Sequence, residues 1–354
     1  MPNLTLLLIQ IVAILATARA AGWLFRLLHQ PRVIGEMVAG IVLGPSLLGW
    51  LAPDVEAALF PAESLGHLGA LAQIGLVVFM FLVGLELDQR LLQENRRLAV
   101  IVGGSSILTP FVLGAALAAV LYPRLAHPGV GALPFILFLG AAMSVTAFPV
   151  LARILAERRL LQTTLGSVAL AAAAVGDVTA WCLLAGVVAL VRTSDGATQL
   201  WLTLAGTALY VGLMIGVVRR ALGPLAAACQ RQGRLTRQAL SWILMLLLAS
   251  AWITERLGIH ALFGAFLAGA ILPQDPGFRR SLKLKLEDLV LTLLLPLFFA
   301  FNGLRTSVTL IRGGELWLSA AGSRSSRSPE RSAARPWPHV WAACVGRKPG
   351  RSGC

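Results

Sequence analysis

Thr163-Thr-Leu-Gly-Ser-Val-Ala-Leu-Ala-Ala-Ala-Ala-Val-Gly-Asp177-Val-Thr-Ala-Trp-Cys-Leu-Leu-Ala-Gly-Val-Val-Ala-Leu-Val191 is an apolar run broken by one charge, Asp177, with 14 residues on either side of it. A run of this length crosses a hydrocarbon core of about 30 Å as a helix. Nine further segments have the same character, at about 4–25, 33–51, 66–87, 98–121, 132–152, 200–218, 238–256, 259–273 and 286–304. Gly and Pro mark many of the edges, as in Gly44-Pro45, Tyr122-Pro123 and Leu272-Pro273. The reading is an all-α polytopic membrane protein with about ten transmembrane helices.

Composition agrees. The 354 residues are 57% hydrophobic and only 13% charged, with a mean hydropathy of +0.79. A soluble domain is about 45–50% apolar and about 25% charged, so an ordinary globular enzyme and a disordered tail protein are both excluded. The net charge of +14 is no nucleic-acid footprint, because the basic residues sit in short loops and in the last 35 residues rather than along one helix face. Cys182, Cys229, Cys344 and Cys354 are scattered, with neither a Cys-x-x-Cys pair nor disulfide-like spacing. The apolar run from Leu4 lacks a basic region before it and reads as the first span rather than a signal peptide. No Walker A loop, His-Glu-x-x-His pair or Gly-x-Ser-x-Gly elbow occurs, which leaves an ATP-driven pump or an intramembrane hydrolase without support.

Orientation follows from Lys and Arg in the connections. Arg26 and Arg32, Arg90 to Arg97, Arg153 to Arg159, Arg219 to Arg237 and Arg279 to Lys285 place seventeen basic residues on one side, against Arg124, Arg192 and Arg256 on the other. The N-terminus is therefore expected outside. The same rule conflicts with the C-terminal segment, which should emerge outside after ten spans yet carries Arg324, Arg327, Arg331, Arg335, Arg347, Lys348 and Arg351. Its composition turns abruptly to Ser, Arg, Pro and Trp near Leu318. Two readings compete: a genuine basic tail over 319–354, or an out-of-frame translation that replaces further spans. The sidedness conflict favours the second, with 1–318 as the transmembrane domain.

An ionisable group at mid-bilayer costs about 2.5–3.5 kcal/mol on insertion scales, so one that is present asks for a reason. Asp177 can hold a cation when ionised and a proton when neutral; the plainer role is a hydrogen bond between helices. Small residues before it let neighbouring helices approach. In the fifth segment, Met143-Ser-Val-Thr-Ala-Phe-Pro149 places a proline where it removes a backbone donor and crowds the Val145 carbonyl. Ser144 and Thr146 can then re-satisfy freed backbone groups or offer oxygens to an ion. Helices broken at mid-membrane, their ends facing an ion, recur in secondary transporters, so a broken helix is expected near Pro149. Glu36, Glu86, Asp88 and Glu255 lie at segment ends and read as solvated or paired carboxylates. Gly40 and Gly44 read as helix packing, His260 as a hydrogen-bonded interfacial histidine, and Arg305 as a snorkelling cation.

These residues carry a resemblance. Val33-Ile-Gly-Glu-Met-Val-Ala-Gly-Ile-Val-Leu-Gly-Pro-Ser46, Gly75-Leu-Val-Val-Phe-Met-Phe-Leu-Val-Gly-Leu-Glu-Leu-Asp88, Ser144-Val-Thr-Ala-Phe-Pro-Val-Leu-Ala-Arg153, Gly176-Asp-Val-Thr-Ala-Trp181, His260-Ala-Leu-Phe-Gly-Ala-Phe-Leu-Ala-Gly269 and Leu295-Pro-Leu-Phe-Phe-Ala-Phe-Asn-Gly-Leu-Arg305 stand in one order along the chain. Together they resemble the bacterial monovalent cation:proton antiporters of the second branch, with the sodium/hydrogen exchanger domain and Kef-type relatives.

The resemblance implies a fold of about thirteen spans built as inverted repeats. A core with two crossed broken helices moves against a dimerisation domain. It implies a homodimer in the inner (plasma) membrane that exchanges Na⁺ or K⁺ for protons by alternating access, with no enzyme activity, cofactor or nucleic-acid partner. Carried over, Asp177 matches the cation- and proton-binding aspartate and Ser144 through Pro149 the first broken helix, with Thr146 inside it and Thr179 and Gly176 beside the site. Two departures stand out. The family usually has Asp, Asn or Gln where this chain has Gly176, and a single acid goes with electroneutral exchange. The last three spans, with the second broken helix, are missing, so the alternative is an inactive truncated antiporter; a channel or unrelated carrier is a further rival.

Overall fold

The computed structural model describes residues 4–87, 96–126, 131–144, 148–191, 196–224 and 235–306; Thr146, Asp88 and the segment 319–354 lie outside them. All regular structure among the described residues is helical. The helices are α1 (Leu4–Leu27), α2 (Arg32–Leu43), the short α3 (Leu48–Leu51) and α4 (Pro53–Leu59), α5 (Ala62–Glu86), α6 (Arg96–Leu125) and α7 (Ala132–Ser144). They continue as α8 (Phe148–Glu157), α9 (Thr164–Val191), α10 (Gly196–Leu213), α11 (Arg237–Arg256), α12 (Ala261–Ala270), α13 (Pro276–Leu289) and α14 (Leu295–Leu304).

Seven of the ten expected spans are helical stretches of at least 18 residues, apolar enough to cross a bilayer. The remaining three are α9 with 28 residues, α12 with 10, and α14 with the turn before it. The outward surface is apolar, with Leu8, Val12, Val100, Leu113, Trp201 and Leu209 all exposed. A surface of that kind is compatible with lipid and not with water. The protein is a multi-pass membrane protein.

Where lipid is as apolar as leucine, helices associate through close packing rather than burial alone. The contacts show how. Along α1 the buried residues are Gln10, Ile14, Ala18 and Gly22, one stripe at four-residue spacing whose C-terminal part seats against α2, while Gln10 bonds Leu59 and Ser64 and Ile14 packs with α5 and α14. Gly40 of α2 lies so close to α14 that a Cβ there would overlap the Ala300 carbonyl, and Gly44 lies against Leu304. The packing role read for this glycine pair is the role it has. Helix α5 is the most enclosed, with a run from Leu76 to Leu85 that is buried or nearly so and packs on α12. Helices α6 to α9 form a second group that packs mainly on itself, α7 and α9 lying on α6.

Two boundaries differ from the sequence reading. Helix α6 continues past Pro123 to Leu125, so that proline does not mark an edge. Pro110 lies inside the same helix. The tenth helical stretch begins at Pro276, not near 286, because α13 is amphipathic and charged and so escapes a hydropathy count. Its passage into α14 is a wide, π-helical turn over Val290–Leu294, directly before Pro296. Widening the turn there accommodates the proline, whose missing N–H and ring would disrupt a regular helix.

Candidate ion site at an interrupted helix

The described residues of the fifth span form two helices. Helix α7 ends at Ser144 and α8 starts at Phe148, with Pro149 in its first turn. At that position the missing proline N–H is one that a helix start leaves unbonded anyway, and the fixed φ suits the first turn. Pro149 thus starts the second half-helix. Ser144 is buried, and its hydroxyl donates to the Ala141 carbonyl at 2.8 Å, so it re-satisfies the backbone of its own helix.

Asp177 lies on α9 beside this interruption and is 8% exposed. The backbone N–H of Phe148, the first residue of α8, lies beside its carboxyl. The first N–H groups of a helix have no partner inside it and carry its positive partial charge, so half-helix α8 points its electropositive end at the carboxylate. The Oδ1 atom of Asp177 is buried and has no partner among the described residues. Gly176 is buried next to it; a Cβ there would meet only the Ile107 side chain, at 3.7 Å. The Thr179 hydroxyl donates to the Val175 carbonyl at 2.8 Å. Ser144 ends α7, Pro149 lies in the first turn of α8, and Gly176 and Asp177 lie on α9, with the Ser144 and Thr179 hydroxyls engaged by their own helices.

Aromatic packing fixes the start of α8. The Phe148 ring is fully buried, 6.5 Å from Phe263 and 5.3 Å from Phe266 of α12. The other end is held by charge, and this the sequence reading missed. Arg153, counted there among loop residues, is buried in α8, and Glu36, read as lying near water, is buried in α2. The Arg153 Nη2 atom lies 3.4 Å from Glu36 Oε1 and 3.5 Å from Glu157 Oε1. Glu157 also accepts from the backbone N–H of Arg32 at 3.0 Å, at the start of α2. The four-residue spacing of Arg153 and Glu157 was the available signal; the partner on α2 was not legible.

Of the other carboxylates read at segment ends, Glu86 and Glu255 are paired. Glu86 meets Lys283 at 2.6 Å, and Glu255 accepts from the Ala261 N–H at 2.8 Å with His260 Nδ1 at 3.9 Å. Burial pulls the Lys283 ammonium down, but its hydrogen bond to Glu86 and the charges of Glu86 and Glu287 more than offset that, leaving it above the usual lysine range. Arg305 lies over the Phe301 ring, 5.8 Å from its centre.

Comparison with known proteins gives the same picture. The family described as "Sodium/hydrogen exchanger, transmembrane" matches residues 12–323. The Na(+)/H(+) antiporter NhaS4 of Synechocystis sp. is 43% identical over 320 residues, covering 90% of this chain and 78% of the relative. Cation/H(+) antiporter 17 of Arabidopsis thaliana is 44% identical over 89% of this chain, which spans 38% of that protein. K(+)/H(+) antiporter 1 of Saccharomyces cerevisiae is 32% identical over 89% of this chain and 37% of its own length. Spanning the interrupted helix and Asp177 alike, these matches make the chain a member of the sodium/hydrogen exchanger family of cation:proton antiporters.

Proposed function

We propose that the chain exchanges a monovalent cation, Na⁺ or K⁺, for protons, and that Asp177 is the group for which the two compete. The observation that carries this is the placement of one buried carboxylate at the start of a half-helix, with Oδ1 unengaged by the described residues. Ionised, the carboxylate takes the cation; protonated, it is neutral and releases it. One carboxylate exchanges one charge for one charge, so with Gly176 beside it the exchange is electroneutral.

Alternating access then moves the α6–α9 group against the helices around α5. The two groups meet through Phe148 on α12 and Arg153 on Glu36. The excess of Lys and Arg in alternate connections supports an outside N-terminus in the plasma membrane, and the relatives' family supports a homodimer.

Reconstitution into liposomes holding a pH-sensitive dye tests this. Pulses of Na⁺ or K⁺ should drive proton movement in the wild-type chain, and Asp177→Asn should abolish it while leaving the protein monodisperse. Flux that survives Asp177→Asn would point to a channel or unrelated carrier. A folded wild-type chain that moves no protons under either cation would make it an inactive member of the family.

A further inference from the structure

Between the ends of α1 and α8, the start of α2 and one face of α13 lies a cleft of about 1040 Å³. Seven Arg and Lys side chains line it, against four Glu. The four carboxylates are engaged around Arg153 and Lys283. Arg26, Arg32, Arg158 and Arg159 have no carboxylate within ion-pair distance among the described residues. Such a surplus of positive charge is ill suited to admit a cation, and well suited to hold an anion.

The backbone gives an independent sign. Helices α1, α8 and α11 end in the same way, with the residue after the cap in a left-handed conformation and two reversed hydrogen bonds closing the turn. In α1 these run from His29 N to Arg26 O and from Gln30 N to Phe25 O; in α8 from Arg159 N to Ala156 O and from Leu160 N to Leu155 O. In α11 they run from Gly258 N to Glu255 O and from Ile259 N to Thr254 O. The left-handed residue is Gly258 at φ +84° in α11, where glycine carries no penalty. At the cleft it is His29 at φ +58° and Arg159 at φ +56°. The one described helix that closes this way off the cleft, α11, uses glycine. On the cleft it keeps an imidazole and a guanidinium in strained backbone, as occurs at ligand clamps.

We infer that this cleft is an anion-binding site for a phosphate-bearing group, held by Arg26, Arg158 and Arg159 with His29. Guanidinium groups match phosphate oxygens in pairs, and the volume is that of a small-ligand pocket. On the sidedness proposed above it opens to the cytoplasm, so the phosphate comes from a soluble phosphate compound or from an anionic lipid headgroup of the inner leaflet.

The test uses the full chain and reads its unfolding midpoint, so it is independent of transport. In detergent the protein is titrated with inorganic phosphate and with ATP at constant ionic strength set by chloride; in nanodiscs, phosphatidylglycerol is compared with phosphatidylcholine. A rise with phosphate or ATP identifies a soluble ligand, and a rise with phosphatidylglycerol alone identifies the lipid. Arg26→Gln with Arg159→Gln should weaken the response about tenfold or more for each guanidinium removed, whereas Arg237→Gln, on the same side but away from the cleft, should respond as wild type. Arg159→Gly separates a site from a helix cap: relief of strain raises the midpoint without ligand, and the anion response falls. The inference is overturned if no probe moves the wild-type midpoint, or if the response survives in Arg159→Gly or in the double variant.

Discussion

Arg153→Met should be among the most damaging single changes outside the ion site. The Arg153 and Glu36 side chains are 8% and 7% exposed, and one guanidinium faces two carboxylates at 3.4 and 3.5 Å. Methionine keeps the apolar stem and removes the charge, leaving Glu36 and Glu157 side by side without an ion-pair partner among the described residues. Breaking a buried pair from one side costs about 3–5 kcal/mol, a third or more of a typical stability of about 5–15 kcal/mol. Removing Glu36 as well is milder, because the one carboxylate then left without the guanidinium is Glu157, which is more exposed at 17% and still accepts from the Arg32 N–H. Arg153→Met with Glu36→Gln should therefore recover most of the loss, with a coupling energy in the upper part of the usual range of about 0.5–3 kcal/mol. Unfolding in mixed micelles, followed by intrinsic fluorescence for wild type, both single variants and the double variant, measures each term. Phe148 stands five residues, or about 7.5 Å, before Arg153 on the same helix, so proton flux should fall in Arg153→Met although Asp177 is intact. A loss under about 1 kcal/mol in the single variant, or a double variant no better than the single, would refute the reasoning.

Gly40→Leu should separate α2 from α14, since even a Cβ would overlap the Ala300 carbonyl; overpacking of about 1–3 kcal/mol or more should appear as a lower melting temperature and less monodisperse protein. Ser250→Ala removes the hydroxyl that donates to the Gly264 carbonyl at 2.6 Å and accepts from Tyr210 at 2.5 Å. Stranding the buried Tyr210 hydroxyl should cost about 1–3 kcal/mol, and a compensating Tyr210→Phe in the same chain should recover part of the midpoint. Gly176→Asn should fold within about 1 kcal/mol of wild type, because the added Cβ meets only Ile107 at 3.7 Å. Gly176→Asp should make exchange respond to a clamped membrane potential, and a response identical to wild type would count against a role for this position in stoichiometry.

What could be read from the sequence was what repeats locally. Apolar length gave the spans, a proline after two hydroxyl residues gave the interruption, and an isolated mid-span acid gave Asp177. Gly40 and Gly44 declared themselves by four-residue spacing. What escaped lies in charge and in distance. Helix α13 is too polar for a hydropathy window, so the start of the tenth stretch came out about ten residues late. Glu36 and Arg153 are 117 residues apart, and no local pattern indicates that a loop-like arginine and an end-of-segment glutamate bury each other. The N–H of Phe148 was equally invisible, because a backbone donor has no signature in sequence until the helix start that frees it has been located.

These hidden contacts give the visible ones their setting. Helix α8 is only ten residues long, too short to hold its place by propensity alone, since isolated helices below about 12–15 residues are marginal. It is fixed at one end by the Phe148 ring between Phe263 and Phe266, and at the other by Arg153 and Glu157 against Glu36 and the start of α2. The same geometry appears twice: the first N–H of α8 meets Asp177, and the first N–H of α2 meets Glu157. In the second case the carboxylate is also faced by a guanidinium, and the result is a joint. In the first no cationic side chain pairs with the carboxylate among the described residues, and one buried oxygen is left over. On the proposed function, that difference in partners, rather than in carboxylate or helix end, separates the structural pair at Glu157 from the cation site at Asp177.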